Sequence, residues 1–350
     1  MKVAAVTKIG KLNDKDISKR GQVDLIDIAE PEMGDEDVKI KVAYCAICGS
    51  DPHVAEGAFS FDVPQTLGHE ISGVVEAVGS KVYKKGIKVG DRVAGNFLHF
   101  CGTCYYCQNN QQQFCQFAGE RKAPGMTEYV IWHESQVYKL PDSVSLRQGC
   151  MLEPLSVAVR AADNVNPKVG GRVAISGGGP IGQLILQVLS IYGATSLTLI
   201  EPIEKRRELG ISFGAEYVID PINENVIDRA MEITKGLGFD TVIDVSGAPA
   251  AVVNLPNITA KGGTLLYGAM YPKDYEMPLN LFQYCYHNDL TIKGLFLSPY
   301  TFPRALQLLE HINLEPFIEK SYPLTEIKEA FDMHMSGEYP KILIKCNDLD

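Results

Sequence analysis

Residues 172–193 read RVAISGGGPIGQLILQVLSIYG, and they predict how the second half of the chain folds. The short apolar strand 172–176 leads directly into a glycine-rich turn, and an apolar pattern of helical period follows. Gly177, Gly179 and Gly182 form the pattern G-x-G-x-x-G, which permits a tight turn and lets a pyrophosphate approach the helix N-terminus. This combination predicts the first strand, turn and helix of a dinucleotide-binding sheet.

The following segments alternate between buried strands and amphipathic helices. Parallel strands joined by helices cross over with a right hand, so the pattern predicts an α/β doubly wound parallel sheet, which we expect over residues 156–296. Its remaining strands are predicted near 196–202, 216–220, 239–247, 262–269 and 290–296.

The first part of the chain follows a different pattern. From about Val38, short β-segments are broken by glycine, which predicts a β-rich domain over residues 1–155. Six strands already fill the second sheet. We therefore assign the helix pattern at 303–312 and the terminal strand at 341–346 to the first domain, which residues 297–350 complete.

An acidic residue follows the glycine pattern at the spacing expected for nucleotide recognition. Glu201 lies 19 residues after Gly182, where its carboxylate can accept hydrogen bonds from the adenosine ribose hydroxyls. The same charge would repel a 2′-phosphate, so NAD is favoured over NADP. Arg206 and Arg207 could reach such a phosphate, or they could be solvated charges. The residues expected to bind the cofactor are Gly177, Gly179, Pro180, Ile181, Gly182, Glu201, Arg206 and Ser246.

Composition excludes several classes of partner. The 350 residues include 33 Lys and Arg against 43 Asp and Glu, which gives a formal charge of -10 and argues against nucleic acid. The N-terminus becomes charged before a secretory segment could form, and no apolar run approaches the roughly 18 residues that span a bilayer. We expect a cytoplasmic protein without a membrane partner.

Four of the nine cysteines lie close together on one glycine-containing loop. Cys101, Cys104, Cys107 and Cys115 follow the spacing C-x2-C-x2-C-x7-C. In a reducing compartment such a cluster indicates a metal, and four thiolates suit a tetrahedral zinc with sulfur at about 2.3 Å. That site would be closed to substrate and would order an otherwise coreless loop. An iron–sulfur cluster and free buried thiols are the alternatives.

Three further segments carry possible metal ligands. They are CGSDPH at 48–53, GHE at 68–70 and EP at 153–154. A catalytic zinc needs three protein ligands and one open position, which one Cys, one His and one carboxylate would provide. The spacing alone leaves open whether these segments converge.

The motifs around these residues resemble those of the zinc-containing medium-chain dehydrogenase/reductase superfamily. GHEISGVVEAVG at 68–79 has the family's form G-H-E-x2-G-x5-G, and the resemblance runs from about Val38 to the C-terminus. Glu153, in the context E-P-L, is similar to the polyol, threonine and sugar-phosphate dehydrogenase branch. The other matching motifs are CGSDPH, VGDRV at 89–93, the four-cysteine loop, LEPLSVAVRA at 152–161 and GGGPIG at 177–182.

The resemblance implies a GroES-like catalytic domain, a Rossmann domain, and two zinc ions and NAD in each chain. It implies that Cys48, His69 and Glu153 bind the catalytic zinc, with Glu70 close behind and able to join it. Ser50 would take the proton from the substrate hydroxyl, and His53 would pass it towards solvent. Ser50 as a helix cap and His53 as a surface histidine are the alternatives. Relatives of this kind are commonly dimers or tetramers.

The substrate is less well defined by the sequence. Four phenylalanines, Phe59, Phe61, Phe97 and Phe100, flank the expected ligands and could form apolar walls or ordinary core. Leu297 and Val54 stand where sorbitol dehydrogenases typically carry an arginine and an aromatic residue, which argues against a plain sorbitol dehydrogenase. The cations Arg121, Lys122 and Arg160 could recognise a phosphate or carboxylate, or be solvated.

These features predict a zinc- and NAD-dependent oxidoreductase. Its small-molecule substrate would be a secondary alcohol of the polyol, sugar-alcohol or sugar-phosphate type. The alternatives are an NADPH-preferring ketone or aldehyde reductase of the same fold, and a non-catalytic zinc-bearing nucleotide-binding protein.

Overall fold

The computed structural model describes residues 1–59, 61–120, 123–194 and 196–349. The chain forms two compact units, Met1–Glu153 with Phe302–Asp350, and Pro154–Thr301. The sequence-based boundaries, after residues 155 and 296, stay predictions of domain extent. No helix among the described residues is long and apolar enough to cross a bilayer.

The N-terminal part of the first unit consists of strands and short helices. They are β1 (Lys2–Lys8), β2 (Gln22–Asp27), β3 (Asp37–Ala46), α1 (Ser50–Ala55), β4 (Gln65–Thr66), β5 (Glu70–Val78), β6 (Arg92–Gly95), α2 (Tyr105–Gln108), β7 (Tyr129–His133), β8 (Val137–Lys139) and α3 (Leu146–Gly149). Single 3₁₀ turns lie at Gln112–Phe114 and Glu134–Gln136.

The second unit alternates strands and helices. Its elements are α4 (Leu152–Val165, which begins at the end of the first unit), β9 (Arg172–Ser176), α5 (Pro180–Tyr192), β10 (Ser196–Ile200), α6 (Glu204–Ser212), β11 (Tyr217–Ile219), α7 (Val226–Ile233), β12 (Phe239–Asp244), α8 (Pro249–Val252), α9 (Leu255–Ile258), β13 (Thr259–Tyr267) and β14 (Thr291–Gly294). A π-helical turn spans Phe282–His287.

The chain then returns to the first unit. The returning elements are α10 (Phe302–Leu308), β15 (Lys320–Pro323), α11 (Ile327–Ser336) and β16 (Ile342–Lys345), with 3₁₀ turns at Glu315–Phe317 and Leu324–Glu326. Since β16 pairs antiparallel with β3, the C-terminal segment completes the main sheet of the first unit.

The second unit contains six parallel strands in the order β11-β10-β9-β12-β13-β14. Counted from β9, this order is 3-2-1-4-5-6, the arrangement of dinucleotide-binding sheets. The predicted doubly wound fold is therefore confirmed. The order reverses beside β9, so the turn after β9 lies where such sheets bind their ligands.

The first unit is built on two sheets. One has the order β15-β16-β3-β5-β6-β8, with β7 also pairing with β3, and the other has the order β2-β1-β4. In β3, the apolar residues Val38, Ile40 and Val42 alternate with partly exposed ones, but the strand is completely buried from Val42 to Ala46. This change occurs because β5 and β16 flank the end of β3. The chain then enters a short loop in which Ile47 is buried and Cys48 is partly exposed.

Candidate active site and cofactor site

Three residues of the first unit form a close set of metal-ligating side chains. Cys48, His69 and Glu70 each place one ligand atom within 4.8 Å of the others. Strand pairing explains the convergence, because Ala46 near the end of β3 lies opposite Glu70 at the start of β5. The loop after β3 and the residues that open β5 therefore meet at the same point.

Asp51 lies beside two of these residues. It is only 2% exposed, its Oδ2 accepts a hydrogen bond from the backbone N–H of Cys48 at 2.9 Å, and its Oδ1 lies 3.9 Å from Nδ1 of His69. Burial raises the pKa of Asp51. A carboxylate behind a ligating histidine fixes the orientation of the ring. Sequence reasoning missed this role, although Asp51 follows Cys48 by one helical turn.

Glu153 is buried near the same residues but lies outside the close set. It is 7% exposed in the first turn of α4. Burial raises the pKa of Glu153 to about 7, with the His69 charge opposing and the Glu70 carboxylate reinforcing the shift. Burial by itself lowers the pKa of His69. The negative charges of Cys48, Asp51 and Glu153 outweigh this effect and raise the pKa of His69 to about 10. The three predicted ligands thus share one electrostatic environment.

Lys341 brings a cation into this site, and sequence reasoning did not single it out. Its Nζ donates a hydrogen bond to Oε1 of Glu70 at 2.7 Å and lies 2.6 Å from Oε2. Lys341 immediately precedes β16, which lies beside β3, so the contact requires the C-terminal segment to return to the first unit. Burial lowers the pKa of Lys341, but the Glu70 carboxylate outweighs burial and raises it above its usual value.

The donor atoms fit a bound cation. A thiol, an imidazole and carboxylates form the ligand chemistry that zinc prefers in catalytic sites. Oε2 of Glu70 lies 2.6 Å from Nζ of Lys341. The buried carboxylates of Asp51, Glu70 and Glu153 still outnumber this one ammonium group, and a bound metal ion would offset their charge.

The two residues predicted to move the proton lie on α1. Ser50 is the first residue of this helix, and Gly49 occupies the capping position without a side-chain hydrogen bond. The alternative in which Ser50 caps the helix is therefore wrong. The side chain of His53 is 45% exposed, and its Nδ1 lies 3.8 Å from Oε2 of Glu56. This exposure is compatible with both a proton relay to solvent and an ordinary surface histidine.

The four-cysteine loop forms a compact cluster. Sγ of Cys101 lies 3.9 Å from Sγ of Cys107 and 3.6 Å from Sγ of Cys115, and all four thiols belong to one set within 4.8 Å. Sulfurs at about 2.3 Å from a tetrahedral zinc would be about 3.8 Å apart, so the spacing fits one central ion. Hydrogen bonds from Thr103 lower the pKa of Cys101 to about 6, which favours its thiolate, whereas burial raises the pKa of Cys107 to about 12.

The glycine-rich turn is closed by contacts that exclude larger side chains. Gly177 has a φ of +103°, and a Cβ on Gly182 would lie 1.9 Å from the carbonyl oxygen of Gly177. Gly179 caps α5, and Pro180 begins the helix. Ser246 lies against the turn, because a Cβ on Gly177 would approach the backbone nitrogen of Ser246 to 2.7 Å.

The side chain of Glu201 reaches this turn. It is 3% exposed and accepts hydrogen bonds from the backbone N–H groups of Gly178 at 2.6 Å and Ile203 at 2.9 Å. Arg207 forms an ion pair with Asp220 at 3.1 Å and donates to the carbonyl oxygen of Glu201. The guanidinium of Arg207 is therefore already engaged within the second unit.

The residues considered for substrate recognition have different surroundings. The Phe97 ring lies 4.9 Å from the His69 ring, whereas Phe100 packs against the four-cysteine cluster and Phe59 is exposed. Nε of Arg160 is buried without a hydrogen-bond partner. Arg121 and Lys122 lie outside the described residues. Phe97 therefore lies beside a predicted zinc ligand.

Comparisons with known proteins agree with this arrangement. A family model described as the alcohol dehydrogenase GroES-like domain matches residues 34–142, and one described as zinc-binding dehydrogenase matches residues 180–311. The chain is 36% identical to D-arabitol-phosphate dehydrogenase of Enterococcus avium, covering 95% of this chain and 97% of that protein. It is 34% identical to L-threonine 3-dehydrogenase of Pyrococcus abyssi, covering 91% and 94%.

A solved structure also matches along nearly the whole chain. The structure assigned to a zinc-binding dehydrogenase of Clostridium scindens aligns with a TM-score of 0.91 and 34% identity, covering 99% of both chains.

The fold and the site together define an oxidoreductase with a metal centre in one unit and a dinucleotide-binding turn in the other. The chain belongs to the zinc-containing medium-chain dehydrogenase/reductase superfamily, as its motifs predicted. It is a zinc-dependent dehydrogenase that uses a nicotinamide cofactor and acts on a small molecule.

Proposed function

We propose that this enzyme transfers a hydride between NAD and the carbinol carbon of a secondary alcohol. The convergence of Cys48, His69 and Glu70 within 4.8 Å carries the proposal, since thiolate, imidazole and carboxylate are ligands that catalytic zinc sites use. Cys48, His69 and Glu153 would bind the catalytic zinc, and Glu70, whose carboxylate oxygen belongs to the close set, would stand beside it. The four cysteines of the 101–115 loop would bind a structural zinc.

In this proposal, two side chains of the protein transfer the proton. When bound, zinc would supply a Lewis acid that lowers the pKa of the substrate hydroxyl, and the nicotinamide would supply the hydride acceptor. The Oγ of Ser50 accepts the proton from that hydroxyl. His53 carries the proton onward to solvent, which its exposure supports. Asp51 holds Cys48 and His69 so that the ligands keep their geometry while the charge changes.

We infer a substrate of the polyol, sugar-alcohol or sugar-phosphate class. The similarity to D-arabitol-phosphate dehydrogenase supports this class, as does the glutamate at position 153. The similarity to L-threonine 3-dehydrogenase keeps amino alcohols as the second class to test.

NAD is the proposed cofactor because Glu201 places a buried negative charge beside the glycine-rich turn. A 2′-phosphate at that position would meet this charge directly. A strong kinetic preference for NADPH would replace this proposal with the reductase alternative.

We also propose that the enzyme is a cytoplasmic homo-oligomer. Metal ligation requires reduced thiols, which the cytoplasm maintains. Exposed apolar side chains at Leu281, Phe282 and Tyr286 lie shortly before the edge strand β14, and such a surface is suited to a second copy of the chain.

One assay tests the central proposal. The purified enzyme is screened against polyols, sugar phosphates, amino alcohols and simple alcohols while nicotinamide absorbance is followed, and its zinc is counted in parallel. We expect about two zinc ions per chain and oxidation of a secondary alcohol with NAD. One zinc per chain together with no turnover on any class would refute the proposal.

A further inference from the structure

The short segment between β10 and α6 is bound by one arginine side chain. Nη1 of Arg207 donates hydrogen bonds to the carbonyl oxygens of Glu201 at 2.8 Å and of Pro202 at 2.7 Å. Arg207 lies in the first turn of α6, so its guanidinium reaches back to the residues that precede the helix. Because Nη1 carries two hydrogens, the backbone engages both of them.

Asp220 binds the same guanidinium from the neighbouring strand. It directly follows β11, and its Oδ2 lies 3.1 Å from Nη2 of Arg207. The carboxylate also accepts hydrogen bonds from the side-chain amide of Asn223 at 2.9 Å and from the backbone N–H of Ile222 at 3.0 Å. These hydrogen bonds and the Arg207 charge hold the pKa of Asp220 below its usual value, so Asp220 is ionised at neutral pH. Each side chain of the pair is only 15% exposed, so the guanidinium is largely shielded from solvent.

The segment that Arg207 binds carries Glu201. The Glu201 carboxylate accepts hydrogen bonds from the backbone N–H groups of Gly178 at 2.6 Å and Ile203 at 2.9 Å. One of these donors belongs to the glycine-rich turn and the other to the segment itself. The position of the carboxylate therefore depends on the backbone that Arg207 holds.

Gln183 joins the glycine-rich turn to the start of α6. It is fully buried in α5, and its Nε2 donates to the carbonyl oxygens of Gly178 at 3.1 Å and Arg206 at 2.7 Å. Hydrogen bonds thus connect the turn after β9 with the start of α6. Both lie near the carboxyl ends of parallel strands, where such sheets bind their ligands. A side chain that fixes the backbone here is placed to affect cofactor binding.

We propose that Arg207 is a positioning residue that fixes the Glu201 carboxylate beside the glycine-rich turn, and that it does not bind a 2′-phosphate. This inference rests on the proposed function, because it accepts Glu201 as the group that selects NAD. Arg207 acts through the carbonyl groups of Glu201 and Pro202, and Asp220 holds its guanidinium in place. Because Asp220 already balances its charge, Arg207 offers little attraction to a phosphate.

The two roles considered for Arg207 predict opposite changes in Arg207→Met. If Arg207 positions Glu201, the Kd for NADH should rise by about tenfold, the scale of one lost hydrogen bond. The Kd for NADPH should change much less, because the Glu201 carboxylate does not favour that cofactor. If Arg207 instead bound the 2′-phosphate, the variant would weaken NADPH binding and leave NADH binding unchanged.

The test measures the Kd of NADH and of NADPH by fluorescence titration, which requires no turnover. It compares the wild type, Arg207→Met, Arg207→Lys and the control Arg172→Met. Arg172 also forms an ion pair with an aspartate, Asp240 at 2.9 Å, but it lies at the start of β9, at the opposite edge of the same sheet. Its variant should lower the melting temperature without changing either Kd. Arg207→Lys keeps the charge and one reach of donors, so it should restore part of the NADH affinity.

Asp220→Asn provides a second variant should Arg207→Met fail to fold. The amide keeps the size of the side chain and removes the charge that holds the guanidinium. The Kd for NADH should rise in the same direction but less, by about threefold. If Asp220 served only to keep Arg207 away from a phosphate, this variant would tighten NADPH binding and leave NADH binding unchanged.

The outcomes are distinct. A rise in the Kd for NADH that exceeds the change for NADPH, absent from Arg172→Met, supports the inference. A selective loss of NADPH binding, equal changes for the two cofactors, or no change in either overturns it. A wild type that binds NADPH more tightly than NADH refutes the proposed cofactor instead, and that result comes from the wild type alone.

Discussion

The carboxylate of Glu201 accepts a hydrogen bond from the backbone N–H of Gly178 at 2.6 Å, across 23 residues of chain. The contact joins the end of β10 to the turn after β9, because these two strands lie side by side in register. It also fixes a negative charge at the turn, since Glu201 is almost fully buried.

Replacing Glu201 by Gln should weaken the preference for NAD. The amide keeps an acceptor for Gly178 but removes the charge, so kcat/KM for NADH should fall by about tenfold, the size of a lost charged hydrogen bond. The corresponding value for NADPH should rise. Parallel kinetics with the two cofactors measure the ratio, and Glu204→Gln, exposed on α6, provides the control. A ratio unchanged from the wild type would remove Glu201 from cofactor selection.

Cys48→Ala should abolish turnover while NADH binding is retained. The variant removes a zinc ligand from the first unit, whereas the glycine-rich turn lies in the second. Zinc should fall from about two ions per chain to about one, and activity by more than about a hundredfold. Metal analysis, fluorescence titration with NADH and kinetics check these values. Cys285→Ala, at an exposed thiol, should behave as the wild type. Equal loss of binding and turnover would indicate misfolding.

Cys104→Ser should destabilise the loop at 101–115 without touching the catalytic residues. The cysteine cluster has few apolar partners, so ordering of the loop depends on the metal. We expect a lower melting temperature, loss of one zinc and rapid proteolysis within the loop. Calorimetry and limited proteolysis with mass spectrometry measure these effects. A normal melting curve with full zinc content is the result that contradicts a structural role.

Asp240→Asn should lower stability in a pH-dependent manner. Two hydrogen bonds from the Arg172 guanidinium, at 2.9 and 3.0 Å, hold the pKa of Asp240 below its usual value. Because a depressed carboxyl pKa stabilises the fold only while the group is ionised, the contribution is full above about pH 4 and is lost as pH falls through the folded pKa. The side chain is 41% exposed, so we expect about 0.5–1 kcal/mol at pH 7.

Urea unfolding at pH 7 and at pH 3.5 checks this prediction. The difference in the free energy of unfolding between wild type and Asp240→Asn should shrink at the lower pH. The control Asp274→Asn, at an exposed residue, should unfold like the wild type at both pH values. If the difference in the free energy of unfolding grew at the lower pH, the predicted direction of the pH dependence would be wrong.

Some features of the chain escaped sequence reasoning for a physical reason. The strand β1 is buried from Val3 to Val6 without alternation, so its pattern did not distinguish it from other apolar segments. Its pairing with β2 and β4 depends on distant partners. Asp51 and Lys341 were likewise missed, because a carboxylate and an ammonium group reveal a role only when their neighbours are known.

The sequence by itself determined the doubly wound sheet, the glycine-rich turn, the four-cysteine cluster and the residue types for a metal centre. These depend on periodicity and short spacing, which local backbone geometry dictates. Only the tertiary structure decided that Glu70, rather than Glu153, joins Cys48 and His69 in the close set, and that Lys341 donates a hydrogen bond to it. Those contacts arise where β16, β3 and β5 lie side by side, and hydrogen bonding between strands far apart in the chain creates that arrangement.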